Sequence, residues 1–158
     1  MAGGLFAMDR KAFFELGTYD QEMRLYGGEE IEIGFRIWQC GYTLECVPCS
    51  RIGHIFRTGK YWKGQVYTVP YDDITRNKLR AAVVWMDEYA QLAIDASPKL
   101  PEGNPIGDVS ARKAIRETCL DGGPSHSFKW LLDNVYPELF VPLPQYLHFH
   151  SALQRRDG

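Results

Sequence analysis

The chain has 158 residues, 45% of them hydrophobic and 13% aromatic, with a formal net charge of −2. That length suits one domain able to bury a reasonable core, and the composition is that of a globular protein, not a disordered one. So weak a charge gives no global attraction to nucleic acid or an anionic membrane, and no apolar run reaches the roughly 20 residues that a membrane helix needs.

In chain order, residues 3–8 read as a short buried strand. Asp9 is placed to cap a helix over 10–16, with Gly17 as its terminator. The run Leu25-Tyr26-Gly27-Gly28-Glu29-Glu30-Ile31-Glu32, closed by Phe35-Arg36-Ile37-Trp38-Gln39-Cys40-Gly41, predicts a helix from about 29 to 40. Ile31, Phe35 and Trp38 recur at helical spacing and are expected to face a core, while Glu32 and Arg36 are spaced for an i,i+4 pair. Residues 43–47 form a strand candidate halted by Pro48, and 52–56 a second extended piece with His54 between apolar neighbours. Residues 57–72 read as a loop long enough to act as a lid.

From 74 to about 96 the helical signal is strong, with Leu79, Val83, Met86 and Ala90 along one face and Asp72 or Asp73 as the cap. Residues 98–105 read as a linker, Asp108 caps a short helix reaching Cys119, and Ser127 starts a helix holding Trp130, Leu131 and Val135. No internal repeat or low-complexity tract is present.

The most informative stretch sets Glu29, Glu30 and Glu32 behind two glycines, where a loop becomes a helix. Glycines let backbone approach a bound ligand closely, and a helix start offers free N–H groups and favours negative charge. A capped amphipathic helix after a turn accounts for the same residues equally well. His54, alone between apolar residues, suits a satisfied core position better than a metal site on its residues alone. Cys46 and Cys49 form a Cys-x-x-Cys, but no second Cys or His pair stands at zinc-finger spacing and Pro48 lies inside the unit.

The stretch 26–41 resembles the hexose-transfer motif of the polypeptide N-acetylgalactosaminyltransferases, Trp-Gly-Gly-Glu-Asn-x-Glu followed by Phe-Arg-x-Trp-Gln-Cys-Gly. Further words of that family stand in order along the chain: Ala2-Gly3-Gly4-Leu5-Phe6-Ala7, Leu16-Gly17-Thr18-Tyr19-Asp20, Pro48-Cys49-Ser50-Arg51-Ile52-Gly53-His54-Ile55-Phe56-Arg57, Val84-Trp85-Met86-Asp87-Glu88-Tyr89, Phe128-Lys129-Trp130 and Val135-Tyr136-Pro137-Glu138-Leu139. The resemblance implies transfer of N-acetylgalactosamine (GalNAc) from UDP-GalNAc to Ser or Thr of proteins, retaining and Mn²⁺-dependent, starting mucin-type O-glycosylation on the lumenal side of the Golgi membrane. Any membrane attachment would come through an anchor absent from this sequence, and nucleic acid is not among the implied partners. It further implies an α/β fold, the second half of a GT-A domain, with residues 1–150 closing the catalytic domain and 151–158 starting a linker towards a lectin domain.

Residue by residue, the resemblance makes Glu29 the carboxylate that contacts GalNAc, beside Tyr26, Gly27 and Gly28, with Tyr26 in place of the usual Trp. It makes His54 a manganese ligand and Arg57 the diphosphate contact, and it puts Tyr61 or Trp62 near the nucleotide. Cys40 is expected to bond to Cys119, whereas the family partner of Cys49 would lie upstream of residue 1. No Asp-x-His, the family's other metal motif, occurs in the sequence, and the residue before Ala2 is often an internal methionine in the family. The chain therefore reads as a fragment, inactive alone, although without the resemblance its lack of a signal peptide reads as soluble and cytosolic. Two rival readings are a β-1,4-galactosyltransferase-like enzyme, which shares the Gly-Gly-Glu helix, and a non-catalytic fragment that binds a partner through apolar surface.

Overall fold

A computed structural model describes residues 3–54, 69–120 and 122–142. Six helices carry the architecture of the described residues: α1 (Arg10–Glu15), α2 (Glu29–Gln39), α3 (Tyr71–Trp85), α4 (Ala90–Ala96), α5 (Ser110–Arg116) and α6 (Phe128–Asn134), with a 3₁₀ turn over Asp87–Tyr89. The expected α/β layering is not met among the described residues, which hold no strand and one isolated bridge, Leu120 to Gly123. Residues 3–8, 43–47 and 52–54 are turn or irregular chain. A strand persists only against a neighbour in a sheet. Phe6, Met8 and Leu44 instead pack against the helical core.

α1 begins as expected, with the Asp9 carboxylate accepting from the Ala12 N–H at 2.9 Å, and ends one residue early before Gly17 at φ +80°. α2 has the expected bounds but a different inner face. Ile33, Ile37 and Cys40 are buried with Leu16, Val84 and Trp85, whereas Ile31, Phe35 and Trp38 are only half-buried. Phe35 and Trp38 serve a second cluster around Phe128, Leu131 and Leu132 of α6, in which Phe35 meets Phe128 edge to face at 5.1 Å. α2 is thus covered on two sides, so one apolar stripe does not describe it.

The helix expected from 74 to 96 is two helices. It starts at Tyr71 behind Pro70, which is the N-cap; Asp72 and Asp73 sit in the first turn without a side-chain capping bond. It stops because Asp87 adopts φ +48°, a conformation held from both sides. The Asp87 carboxylate accepts from the Phe128 N–H at 2.7 Å and pairs with Arg116 at 2.8 Å. Asp108 does bind the start of α5, accepting from the Ser110 N–H at 2.9 Å and hydroxyl at 2.8 Å, and these bonds hold its carboxyl below the usual carboxylate range. α5 ends at Arg116, short of Cys119. Ser127 caps α6 through the Trp130 N–H at 3.0 Å.

Cys40, just past α2, is bonded to Cys119, just past α5, with Cα atoms 5.3 Å apart. That is the pairing the resemblance implies. No helix among the described residues is long and apolar enough to cross a membrane.

A bond joining positions 79 residues apart constrains the unfolded chain strongly. Cys119→Ser is expected to lower unfolding free energy by about 4 kcal/mol, read from urea midpoints, with the far-ultraviolet helical signal retained at zero denaturant.

Candidate functional site

The corner that leads into α2 is built on left-handed backbone: Leu25 at φ +45°, Gly27 at +92° and Gly28 at +95°. Gly28 is the N-cap, and its N–H donates to the Glu30 carboxylate at 3.0 Å. The reason for the two glycines is visible on the protein side. A Cβ on Gly28 would stand 3.0 Å from backbone atoms of Asn77 and Lys78, and one on Gly27 3.0 Å from the Ile74 side chain. The close approach is therefore to α3.

The three acids in the first turn of α2 have different fates. Glu30 folds back on the cap. Glu32 is buried, 1% exposed, and accepts from Arg36 at 2.7 Å, Arg112 at 2.9 Å and the Trp85 indole N–H at 3.0 Å. Glu29 is half-buried, and no hydrogen bond among the described residues engages its carboxylate. Beside it on the chain, Tyr26 and Leu25 are open to solvent at 57% and 66%. The corner thus offers an unengaged carboxylate at the helix start and an exposed aromatic ring just before it.

Behind it lies a charged interior that sequence reasoning found only at Glu32 and Arg36. The Arg36 guanidinium, wholly buried, also donates to the carbonyl oxygens of Leu16 and Thr18. Burial lowers the Arg36 pKa, opposed by the Glu32 charge. Arg112 donates to the Gly17 carbonyl at 2.8 Å. Arg80 meets both oxygens of buried Asp20 at 2.9 Å and donates to the carbonyls of Ile106 and Asp108. Arg76 donates to the Pro105 and Glu22 carbonyls, and its pKa is lowered by burial first. The available signal was the density of arginines on α3 and α5, since a guanidinium can satisfy several carbonyls at once.

Among the residues named from the sequence, Tyr26, Gly27, Gly28 and Glu29 form one corner, with Tyr26 exposed, Glu29 half-buried and the two glycines buried against α3. His54 is exposed, not a core residue. Arg57, Tyr61 and Trp62 lie outside the described residues, as does most of the lid expected over 57–72, whose last two residues begin α3. Cys46 and Cys49 are free, exposed thiols. Among the described residues no group of three or more His, Cys, Asp or Glu could hold a metal ion.

Comparison with known proteins gives a consistent answer. A family model described as the N-terminal domain of galactosyltransferase matches residues 1–60. The chain is 47% identical over 145 residues to polypeptide N-acetylgalactosaminyltransferase 4 of Caenorhabditis elegans, covering 90% of this chain and 23% of that protein. It is 49% identical over 146 residues to polypeptide N-acetylgalactosaminyltransferase 11 of Xenopus tropicalis, covering 91% and 23%. With human polypeptide N-acetylgalactosaminyltransferase 14 the match is 42% over 159 residues, covering 99% and 27%. A crystal structure of GalNAc-T7 with UDP, GalNAc and Mn²⁺ superposes with a TM-score of 0.73 at 41% identity, over 87% of this chain and 24% of that one. The chain spans about a quarter of the length of these relatives.

The glycine corner gives a direct test of the geometry. Gly28→Ala, with a left-handed backbone and a Cβ against α3, is expected to lower stability by about 1–3 kcal/mol. Gly34→Ala, in mid-α2 with nothing within 4 Å of the added Cβ, is expected to raise it by about 0.5–1 kcal/mol. Urea midpoints of the two variants check both signs.

Proposed function

We propose that this chain, which belongs to the polypeptide N-acetylgalactosaminyltransferase family, forms the sugar-contacting part of an enzyme that moves GalNAc from UDP-GalNAc to Ser or Thr of proteins. The observation that carries the reading is the unengaged Glu29 carboxylate at the start of α2, one corner away from the exposed Tyr26 ring. A carboxylate accepts hydrogen bonds from sugar hydroxyls, and an aromatic face covers the apolar face of a pyranose. Gly27 and Gly28 hold the two at a fixed angle.

The reaction keeps the anomeric configuration in this reading. Retaining glycosidases do so with a carboxylate nucleophile. Here Glu29 has a different role: it orients the sugar and stabilises charge while the leaving UDP oxygen takes the acceptor proton. Arg57 is the residue for the diphosphate, a guanidinium fork suited to phosphate oxygens, and Tyr61 or Trp62 lies against the nucleotide.

Mn²⁺ accompanies UDP and GalNAc in the GalNAc-T7 crystal structure. The described residues of this chain do not fit a complete manganese site, because they hold no group of three or more His, Cys, Asp or Glu able to bind a metal ion. One imidazole is not a metal centre, and no step is drawn through the ion. The fold is read as the second half of a GT-A domain, and the Cys40–Cys119 bond suits an oxidising compartment such as the Golgi lumen. The match of residues 1–60 to a galactosyltransferase model favours a shared Gly-Gly-Glu helix; identity to the GalNAc-transferases over 90% of the chain favours GalNAc chemistry.

Two outcomes are expected. Isothermal titration with UDP-GalNAc gives an affinity about tenfold weaker for Glu29→Gln than for the unaltered chain, the loss of one charge-assisted hydrogen bond, at an unchanged melting temperature. Equal affinities contradict the role of Glu29. The 158 residues alone transfer no GalNAc to a Ser/Thr peptide in the presence of Mn²⁺; measurable transfer contradicts the reading of the chain as one part of the catalytic unit.

A further inference from the structure

Asn77 stands in the middle of α3, where asparagine is a poor helix former, and it is 1% exposed. Its side chain is spent on another segment. The amide oxygen accepts from the Arg24 N–H at 3.0 Å, and the amide nitrogen donates to the Arg24 carbonyl at 2.7 Å and the Tyr26 carbonyl at 3.5 Å. A side-chain amide is the uncharged group that can answer an N–H and a C=O together, so Asn77 pairs with Arg24 much as a strand neighbour would.

The segment it holds needs holding. Leu25, Gly27 and Gly28 all have positive φ, and no backbone–backbone hydrogen bond among the described residues engages Arg24 to Gly27. The Arg24 side chain adds a second tether from the same side, to Asp73 at 3.4 Å and to Asn104. The backbone of Asn77 is also what a Cβ on Gly28 would strike. One residue of α3 therefore sets both the approach and the angle of the loop that carries Tyr26 into Glu29.

We propose that Asn77 is a positioning residue for the sugar-contacting corner, fixing Tyr26 and Glu29 relative to one another without touching the substrate; the proposal rests on the reading of those two residues as the GalNAc contacts. Its distinguishing consequence is selectivity. A misplaced corner weakens binding of the sugar while leaving the bare nucleotide alone, because small displacements of positioned groups carry large penalties.

The test compares the unaltered chain with Asn77→Ala and with Asn77→Asp, which keeps size and the acceptor for Arg24 N–H but loses both donor bonds. Two quantities are read: amide hydrogen exchange at Arg24 against Val84 in the same helix bundle, and affinities for UDP-GalNAc and UDP. The expected result is exchange at Arg24 faster by about tenfold in Asn77→Ala with Val84 still protected, and UDP-GalNAc affinity lower by about tenfold with UDP unchanged. Unchanged protection at Arg24, or equal losses for UDP-GalNAc and UDP, overturns the proposal. If the unaltered chain binds neither ligand, the sugar reading itself fails, and exchange at Arg24 alone decides whether Asn77 clamps the loop. Should Asn77→Ala not fold, the UDP-GalNAc and UDP affinities of Asn77→Asp decide it, since that variant keeps the acceptor for the Arg24 N–H and loses only the donor bonds.

Discussion

The buried carboxylate of Glu32 is the constraint on which the arrangement depends. From α2 it reaches Arg112 on α5 and the Trp85 indole on α3, while Arg36 one turn along binds its other oxygen. Removing three charges from water is expensive, and the attraction offsets that expense only where geometry is good and the remaining donors find partners. Here most do: Arg36 and Arg112 send their spare N–H groups to the carbonyls of Leu16, Gly17 and Thr18, tying the end of α1 into the same node. Two guanidinium Nε atoms, on Arg36 and Arg112, are the buried side-chain polar atoms left without a partner among the described residues. Burial and the neighbouring Arg112 both lower the Arg36 pKa, but arginine starts so high that the group stays charged at neutral pH.

That node also anchors the helix on which the glycine corner stands. α2 cannot turn about its axis without breaking Glu32 from α3 and α5, so Glu29, less than one turn away, keeps its direction. Around it, α3 supplies the wall against which Gly27 and Gly28 pack and the amide that grips Arg24. Asp20 with Arg80, and Asp87 with Arg116, repeat the device, each joining a loop to a helix through a paired charge. Loops carrying binding groups on a fixed scaffold are the usual arrangement of an active site.

Much of this was legible in the residues. Asp9 and Ser127 announce helix starts because a short polar side chain answers orphan N–H groups, and both caps are present. The Glu32–Arg36 pair follows from spacing alone. What spacing cannot give is depth: the same pair on an exposed face would be a weak surface bridge, and only the arrival of Arg112 and Trp85 from far along the chain makes it central. The break at Asp87 was hidden for the same reason, since its positive φ is enforced by Arg116 and Phe128. The strand expectations failed where alternating or apolar residues had no neighbour to pair with among the described residues. The four residues that the resemblance singled out, Tyr26 through Glu29, form one corner, and the sequence alone offered a turn-and-cap explanation that is also true of them.

The most direct test of the central claim is a double-mutant cycle between Glu32 and Arg112, with Glu32→Gln, Arg112→Met and the pair compared by urea denaturation. If the buried carboxylate joins α2 to α5 as described, the two changes are strongly coupled, by about 1.5–3 kcal/mol, and the double variant is far more stable than the sum of the single losses predicts. Losses that add to within about 0.5 kcal/mol would contradict it, leaving Glu32 one buried polar group among several.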